Sequence, residues 1–528
     1  MTGSAATDPE EFLTMATRGQ MLSRSLVGAG VVGLMVEESL RLPEAAAAAP
    51  GILEVYNVKT DYGGNIQAAI DACIAGGGGI VYLPPGEYLI NDPLDCSAIS
   101  GTRRGIQLVG AGAGDRGIGT NFGTSRILNA TTTGSGAIKA IQTSPSATLP
   151  DFQIRDLLIK NVGALSASAY TVDIGGASGP VVVENVCIEG NSQGGNGFRL
   201  AVTNGQYLFR SCVVDQFMSG TGFEFSSGNP ISSSQSGNGA VVACAANSTK
   251  YGFDVSGNNI GISFISCKLV GGGDNAIAYR LRSGTWSCQL IGCHAEMGTA
   301  SGVVGYQIDN GAHGNYINSF VSGGGAATAG AVVAGQSNRV LLAAGSNASD
   351  DKLPIGVLVD AAGSNNEVRC LPVGSVSPFV NHRVDAPASL KNRCGPPGEE
   401  LAYVELTATK VVNQTSPGVD VIPATTVDCD GTPVEIEFYC PRVDVGTDDG
   451  IETILWMDDS PRAIIASCHT AGMTGAGDPV LVRRKLTPAP GPRVFKIMAY
   501  NHAAQGAIIA GAGGGDVFAP AYMRVVRA

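Results

Sequence analysis

The chain has 528 residues, room for two or three domains, with 74 glycines and only 15% charged residues. That combination excludes a disordered chain and fits a β protein rich in tight corners. Against 33 basic residues stand 45 acidic ones, a net charge of −12, and no basic patch with interleaved aromatics occurs, so nucleic-acid binding is excluded as the main role.

Residues 1–50 differ from the rest. Asp8-Pro9-Glu10-Glu11 reads as a helix start, with Asp as cap, Pro in the first turn and Glu three residues after the cap. The apolar run Leu26–Val36 is too short to span a membrane. Arg18 and Arg24 before it and Ala45–Ala49 after it suggest an export signal, but Glu37, Glu38, Arg41 and Glu44 interrupt the passage to a cleavage site. The segment is expected to be a helical attachment or oligomerisation element followed by a linker, with a degenerate export signal as the alternative.

Residues 51–393 read as a stacked fold. Ile66, Ala69, Ile70 and Cys73 share one face of a helix expected over 64–75, and the glycines of 76–79 lead into the strand run Ile80–Ile90. From 179 to 370 one pattern recurs. Its apolar-aromatic triplets are Phe198-Arg199-Leu200, Phe223-Glu224-Phe225, Phe253-Asp254-Val255, Tyr279-Arg280-Leu281 and Tyr306-Gln307-Ile308. Between them recur Cys187, Cys212, Cys244, Cys267 and Cys293, then Ser319 and Cys370, at steps of 25, 32, 23, 26, 26 and 51 residues. Self-similarity at this period marks a solenoid. In a strand alternate side chains face opposite ways, so the outer members of each triplet point in and the middle one points out. Strands joined by Gly/Asn corners, stacked about 4.8 Å apart, make a parallel β-helix in which equivalent residues form columns. One expected inner column is Phe198, Phe223, Phe253, Tyr279 and Tyr306. A second holds Leu158, the six cysteines and Ser319. The cysteines read as small buried hydrophobes. The alternatives are vertical disulfides or a metal site, but no C-x-x-C pair occurs and spacings near 25 fit no zinc motif.

Stacking also brings carboxylates together. The outward column reads Asp173, Arg199, Glu224, Asp254, Arg280 and Gln307, and places Glu224 beside Asp254 in adjacent turns. Two neighbouring carboxyl groups are what glycosidases use, and like charges that close raise one pKa. Arg199 and Arg280 flank the pair, so a salt-bridge ladder is the competing and favoured reading. His294 and Glu296 form a second candidate, two residues apart on one strand face. Asp215 holds the slot of Glu296 three turns earlier, too far for one carboxylate pair. Lys268 and Arg280 are available bases, and Trp286 and Trp456, the two tryptophans, read as strand or core residues rather than sugar platforms. No clustered Asp motif for a hard cation appears, and no cofactor or metal is expected.

Residues 396–528 lose the repeat after Arg393-Cys394-Gly395-Pro396-Pro397-Gly398. Alternating runs such as Ala402–Leu406, Val434–Tyr439, Ile451–Trp456 and Tyr522–Val526, separated by Gly, Pro and Asp, predict an antiparallel β-sandwich. Cys429 and Cys440 could pair across strands or remain reduced core residues.

The stretch Val55 to Ile90, with its amphipathic helix, glycine run and Ile80-Val81-Tyr82-Leu83-Pro84-Pro85-Gly86, resembles the entrance cap of the pectate-lyase-like, right-handed parallel β-helix proteins. The resemblance extends over about residues 53–380. It implies an all-β fold: a β-helix with a short helical N-terminus and a C-terminal, jelly-roll-like sandwich. The family includes polysaccharide lyases, glycoside hydrolases and bacteriophage tailspikes, and the layout resembles phage tail proteins most. The ending Pro520–Val526 resembles the last strand of a trimeric jelly roll. The expectation is therefore a homotrimeric tailspike or minor tail protein of the virion, assembled in the host cytoplasm. It would join other tail proteins through its N-terminal segment and bind host cell-surface polysaccharide, without a membrane span. A tail depolymerase is the main alternative, and a secreted pectinase-like enzyme the third.

Overall fold

The computed structural model describes residues 53–528, apart from 102–104, 114–123, 132–134, 142–150, 227–238, 346–352, 373–379, 414–417, 446–449, 470–474, 513–517 and other breaks of three residues or fewer. The helical segment and linker expected over 1–50 lie outside the described residues.

The solenoid begins with a strand, Val55–Asn57, and a helix, Ile66–Ala75. Asn65 caps the helix by accepting from the Ala68 N–H at 3.0 Å, satisfying one of the orphan donors of the first turn. Ile66, Ala69, Ile70 and Cys73 are all buried against the core, as their spacing predicts. The helix ends in glycines because the backbone turns left-handed there, with φ of 86° at Gly77 and 104° at Gly78. Gln67 ties the helix to the strand Leu94–Asp95 by exchanging two hydrogen bonds with the Asp95 backbone, 3.1 and 2.8 Å.

Beyond the cap, each strand pairs in parallel with its equivalent one turn on, so the backbone hydrogen bonds run along the solenoid axis. Three faces result. Strands such as Val181–Glu189 run through a corner and supply two of them, within one sheet of 18 strands. The third face is a sheet of 11 strands. The corner inside the long strands is one left-handed residue per turn: Asp156, Asn185, Ser211, Ala243, Ser266 and Gly292, with φ of 51–61°. At the next turn the corner disappears. Ile291 and His294 lie opposite Asn318 and Phe320, one residue fewer, so Tyr316–Gly323, Arg339–Gly345 and Glu367–Pro372 pass without a left-handed residue.

The ring column forms as the triplets predict. Phe198, Phe223, Phe253, Tyr279 and Tyr306 stack with centroids 5.2, 4.9, 4.9 and 5.0 Å apart, all buried. Offset stacking of this kind adds to the area these rings bury. The cysteine column needs one correction. Cys212, Cys244, Cys267, Cys293, Ser319 and Cys370 share an inner slot, but Cys187 pairs with Val213 and Leu158, one residue out of step. The left-handed corner at Asn185 and Ser211 sits directly before this position, and counting from Cys to Cys steps across it. Cys187 thus packs in a small outer cluster with Leu158 and Ala113. In the inner slot a short side-chain donor reaches a carbonyl of the preceding turn. Cys212 donates to the Val183 carbonyl at 3.3 Å, Cys267 to Val241 at 3.2 Å, and Ser319 to Leu290 at 3.1 Å. None of the 13 cysteines, all of them described, forms a disulfide, Cys429 and Cys440 included.

A second corner, where the sequence shows only Gly/Asn turn residues, is held by an asparagine ladder. Asn315, Asn338 and Asn366, all buried, each donate a side-chain N–H to the carboxamide oxygen of the next rung, ending on Asn392, at 3.0–3.1 Å. The same oxygens accept the backbone N–H of the preceding rung at 2.9–3.0 Å.

Three antiparallel four-stranded sheets follow from Glu400, closing on a core that includes Phe438, Phe495, Ile497 and Met523. At the junction the last strand of the third face, Val380–Val384, carries His382 in the slot that holds Tyr306 three turns earlier. The buried His382 accepts the Cys370 N–H through Nε2 at 2.7 Å, so that nitrogen is unprotonated. Val384 N–H donates to Asp430 at 2.7 Å, and the guanidinium of Arg527 binds Asp430 and, at 2.8 Å, Glu399.

Candidate functional site

The outward column of the third face runs Lys139, Asp173, Arg199, Glu224, Asp254, Arg280, Gln307 in unbroken register. Glu224 and Asp254 are direct neighbours, as stacking predicts. Their partners are not the expected ones. Arg199 turns to Asp173, with two hydrogen bonds of 2.8 and 2.6 Å. Arg280 turns to Asp309, 3.0 Å from Nε. Asp254 is held by Arg282, which donates to both of its oxygens, at 2.8 Å from Nε and closely from Nη2. Glu224 accepts a close hydrogen bond from the Tyr170 hydroxyl, two turns away.

Each choice has a physical cause. Asp254 is 0% exposed, and burial pushes its carboxyl upward while the Arg282 guanidinium pulls it back. A fork-shaped donor satisfies both oxygens at once, which a single lysine could not. Burial, then the bond to Glu224, raises the Tyr170 hydroxyl far above its ordinary range, so it stays a donor. The Arg199 guanidinium lies 4.8 Å over the Tyr170 ring and fixes it from above. Asp254 therefore offers no free oxygen to a substrate. Glu224, half-buried with its Tyr170 partner, is the accessible carboxylate of the pair.

Tyr170 and Arg282 escape the triplet reading. Tyr170 lies two residues before Val172, in the column of Asn196, Thr221 and Tyr251. Aligning the turns two residues further upstream would have exposed it. Arg282 lies just past the triplet Tyr279-Arg280-Leu281, opposite Ser256.

The second candidate lies on another face. Glu296 pairs with Lys268 at 2.8 Å, and His294 Nε2 meets Ser322 Oγ at 2.8 Å. Burial, then the Lys268 charge, lowers the His294 pKa. Asp215, Asn247, Val270 and Glu296 follow in register, so Asp215 and Glu296 are three turns apart as expected. Trp286 is not a core residue: it is 36% exposed and stacks on His313 at 5.8 Å. Among the described residues no group of three or more His, Cys, Asp or Glu could hold a metal ion, and no helix is long and apolar enough to cross a membrane.

Set against known proteins, residues 56–277 match the family model of rhamnogalacturonase A/epimerase, pectate lyase-like. That match lies within the parallel β-helix. Short stretches also match mannuronan C5-epimerases of Azotobacter vinelandii: AlgE3 is 54% identical over 54 residues and AlgE4 45% identical over 74. These matches span 10–11% of this chain and only 3% and 13% of the epimerases. Among solved structures, the enzymatically active domain of bacteriophage CBA120 tailspike protein 4 aligns at 12% identity and a TM-score of 0.35. That alignment covers 84% of this chain and 65% of that one. A tailspike mutant of E. coli bacteriophage HK620 aligns at 10% identity and a TM-score of 0.36, over 87% and 88% of the two chains.

Proposed function

We propose that this chain is a homotrimeric bacteriophage tail component that attaches to glycans of the host cell envelope, with the saccharide lying along the third face of the β-helix beside Glu224 and Tyr170. The observation that carries the reading is the outward ladder itself. Asp173–Arg199, Tyr170–Glu224 and the Arg282 guanidinium held by the buried Asp254 present fixed polar groups along successive strands, a surface suited to the repeated hydroxyls of an extended glycan. The matched family model and the epimerases are named for action on polysaccharides, which supports a glycan as ligand. The tail assignment is supported by layout, a rigid shaft followed by an antiparallel sandwich. The virion location and the joining of residues 1–50 to other tail proteins belong to the same proposal.

Attachment is favoured over cleavage because Asp254 is sequestered by Arg282, which leaves Glu224 without a second free carboxylate. A depolymerase remains the second reading on one observation, the close Tyr170–Glu224 hydrogen bond, which could move a proton at a glycosidic oxygen. Incubation with purified host envelope polysaccharide distinguishes the two. Binding with unchanged chain length is expected, weakened at least about tenfold by Glu224→Gln. New reducing ends or unsaturated products, lost in Tyr170→Phe, would establish the second reading. No binding and no products would overturn both.

A further inference from the structure

One sheet of the C-terminal sandwich has two edges of opposite charge. Its strands run in the order Glu400–Leu406, Ala521–Arg527, Val434–Cys440, Val480–Leu486. The first edge strand carries Glu400 and Glu405 and no cation. The other carries Arg483, Arg484 and Lys485 and no carboxylate. The two stand level: Glu400 and Glu435 both lie opposite Val526, and Glu435 lies opposite Lys485. Each edge also bears an exposed apolar side chain, Tyr403 at 44% and Leu481 at 57%. Between them the rings of Tyr403, Tyr522 and Tyr439 form a row at 5.3 Å spacings. Among the described residues Arg484, Lys485 and Glu405 form no ion pair, and neither edge strand has a second strand partner.

Charges on sheet edges ordinarily prevent edge-to-edge pairing. Here that protection works only between like edges. Basic against basic and acidic against acidic repel, which disfavours a two-fold contact through either edge. Basic against acidic attracts. The edge strands also run antiparallel to each other through three successive antiparallel pairings, so a neighbour rotated about an axis along the strands would present its acidic edge in the antiparallel sense of the sheet. We infer that copies of this chain associate head to tail through this sheet, the basic edge of one on the acidic edge of the next. Such a heterologous contact closes into a ring when the rotation allows. The inference rests on the homotrimer of the proposed function and names the surface that builds it.

The test is light scattering on the full chain. The wild type should be a trimer at low salt and lose mass at high salt, because exposed charge pairs are screened. Arg484→Glu with Lys485→Glu, or Glu405→Lys alone, should each weaken association at least about tenfold while far-ultraviolet circular dichroism stays unchanged. All three substitutions together exchange the edge charges and should restore it. A wild-type monomer would overturn the assembly reading as well as this one. A trimer indifferent to salt, or unmoved by the single-edge reversals, or not restored by the combined chain, would overturn only the edge contact.

Discussion

Asp254 lies directly opposite Glu224 on neighbouring strands, yet gives both of its oxygens to Arg282 of the following turn. Because Asp254 is buried, losing its partner strands a charge in a low-dielectric site. Arg282→Met should cost about 3–5 kcal/mol in chemical unfolding. Adding Asp254→Leu should recover most of that loss, since an apolar pair of similar size carries no desolvation penalty. A double variant as unstable as the single one would mean that the pair supplies more than mutual compensation.

The asparagine ladder gives a graded prediction. Asn338 serves two neighbours, accepting from Asn315 and donating to Asn366, whereas Asn392 ends the row. Asn338→Ala should destabilise by about 2–4 kcal/mol, because the buried Asn315 donors lose their acceptor and the Asn366 oxygen loses a donor, and Asn392→Ala by about half as much. Equal losses in thermal unfolding would show that the rungs act independently.

The inner cysteine slot should tolerate serine and resist size. Cys267→Ser keeps a donor to the Val241 carbonyl, as Ser319 does two turns on, and should cost no more than about 1–1.5 kcal/mol. Cys267→Leu overfills the corner and should cost about 1–3 kcal/mol. Twelve of the 13 cysteines are buried, and burial pushes the Cys288 and Cys370 thiols up to about 12. A thiol reagent at pH 8 should therefore label the native chain sparsely and all 13 sites only after unfolding.

His382 sets an acid limit. Burial, then the Arg527 charge, lowers its pKa to about 4, with Asp430 and Glu399 acting in the opposite sense. The folded state needs the neutral ring, while the unfolded chain protonates near pH 6.5. Above that value the group adds no pH dependence. As pH falls from about 6.5 to 4 the unfolded state takes up the proton first, so stability declines by up to roughly 3 kcal/mol, then levels off below both values. His382→Gln keeps an acceptor for the Cys370 N–H and should flatten that part of the stability profile.

The solenoid was legible because its rules are periodic: alternation set the inward triplets, and the repeat length set the ring column. The misplacement of Cys187 marks where that reading fails. A left-handed residue between Glu184 and Val186 adds a step that alternation does not count. The carboxylate pair was legible for the same reason as the rings, since register alone places Glu224 beside Asp254. Its partners were not. Whether Arg280 or Arg282 reaches Asp254 depends on side-chain reach across turns and on burial, and neither follows from column position.

The vanishing corner between Gly292 and Ser319 has an evolutionary reading. A solenoid grows by copying a turn and inserting the copy beside its parent. Turns from Asp156 to Gly292 carry a left-handed residue at this corner, and the strands from Tyr316 to Pro372 pass it without one. A copied turn is therefore interchangeable only with turns on its own side, and the shaft can lengthen as two separate blocks but cannot be shuffled as one.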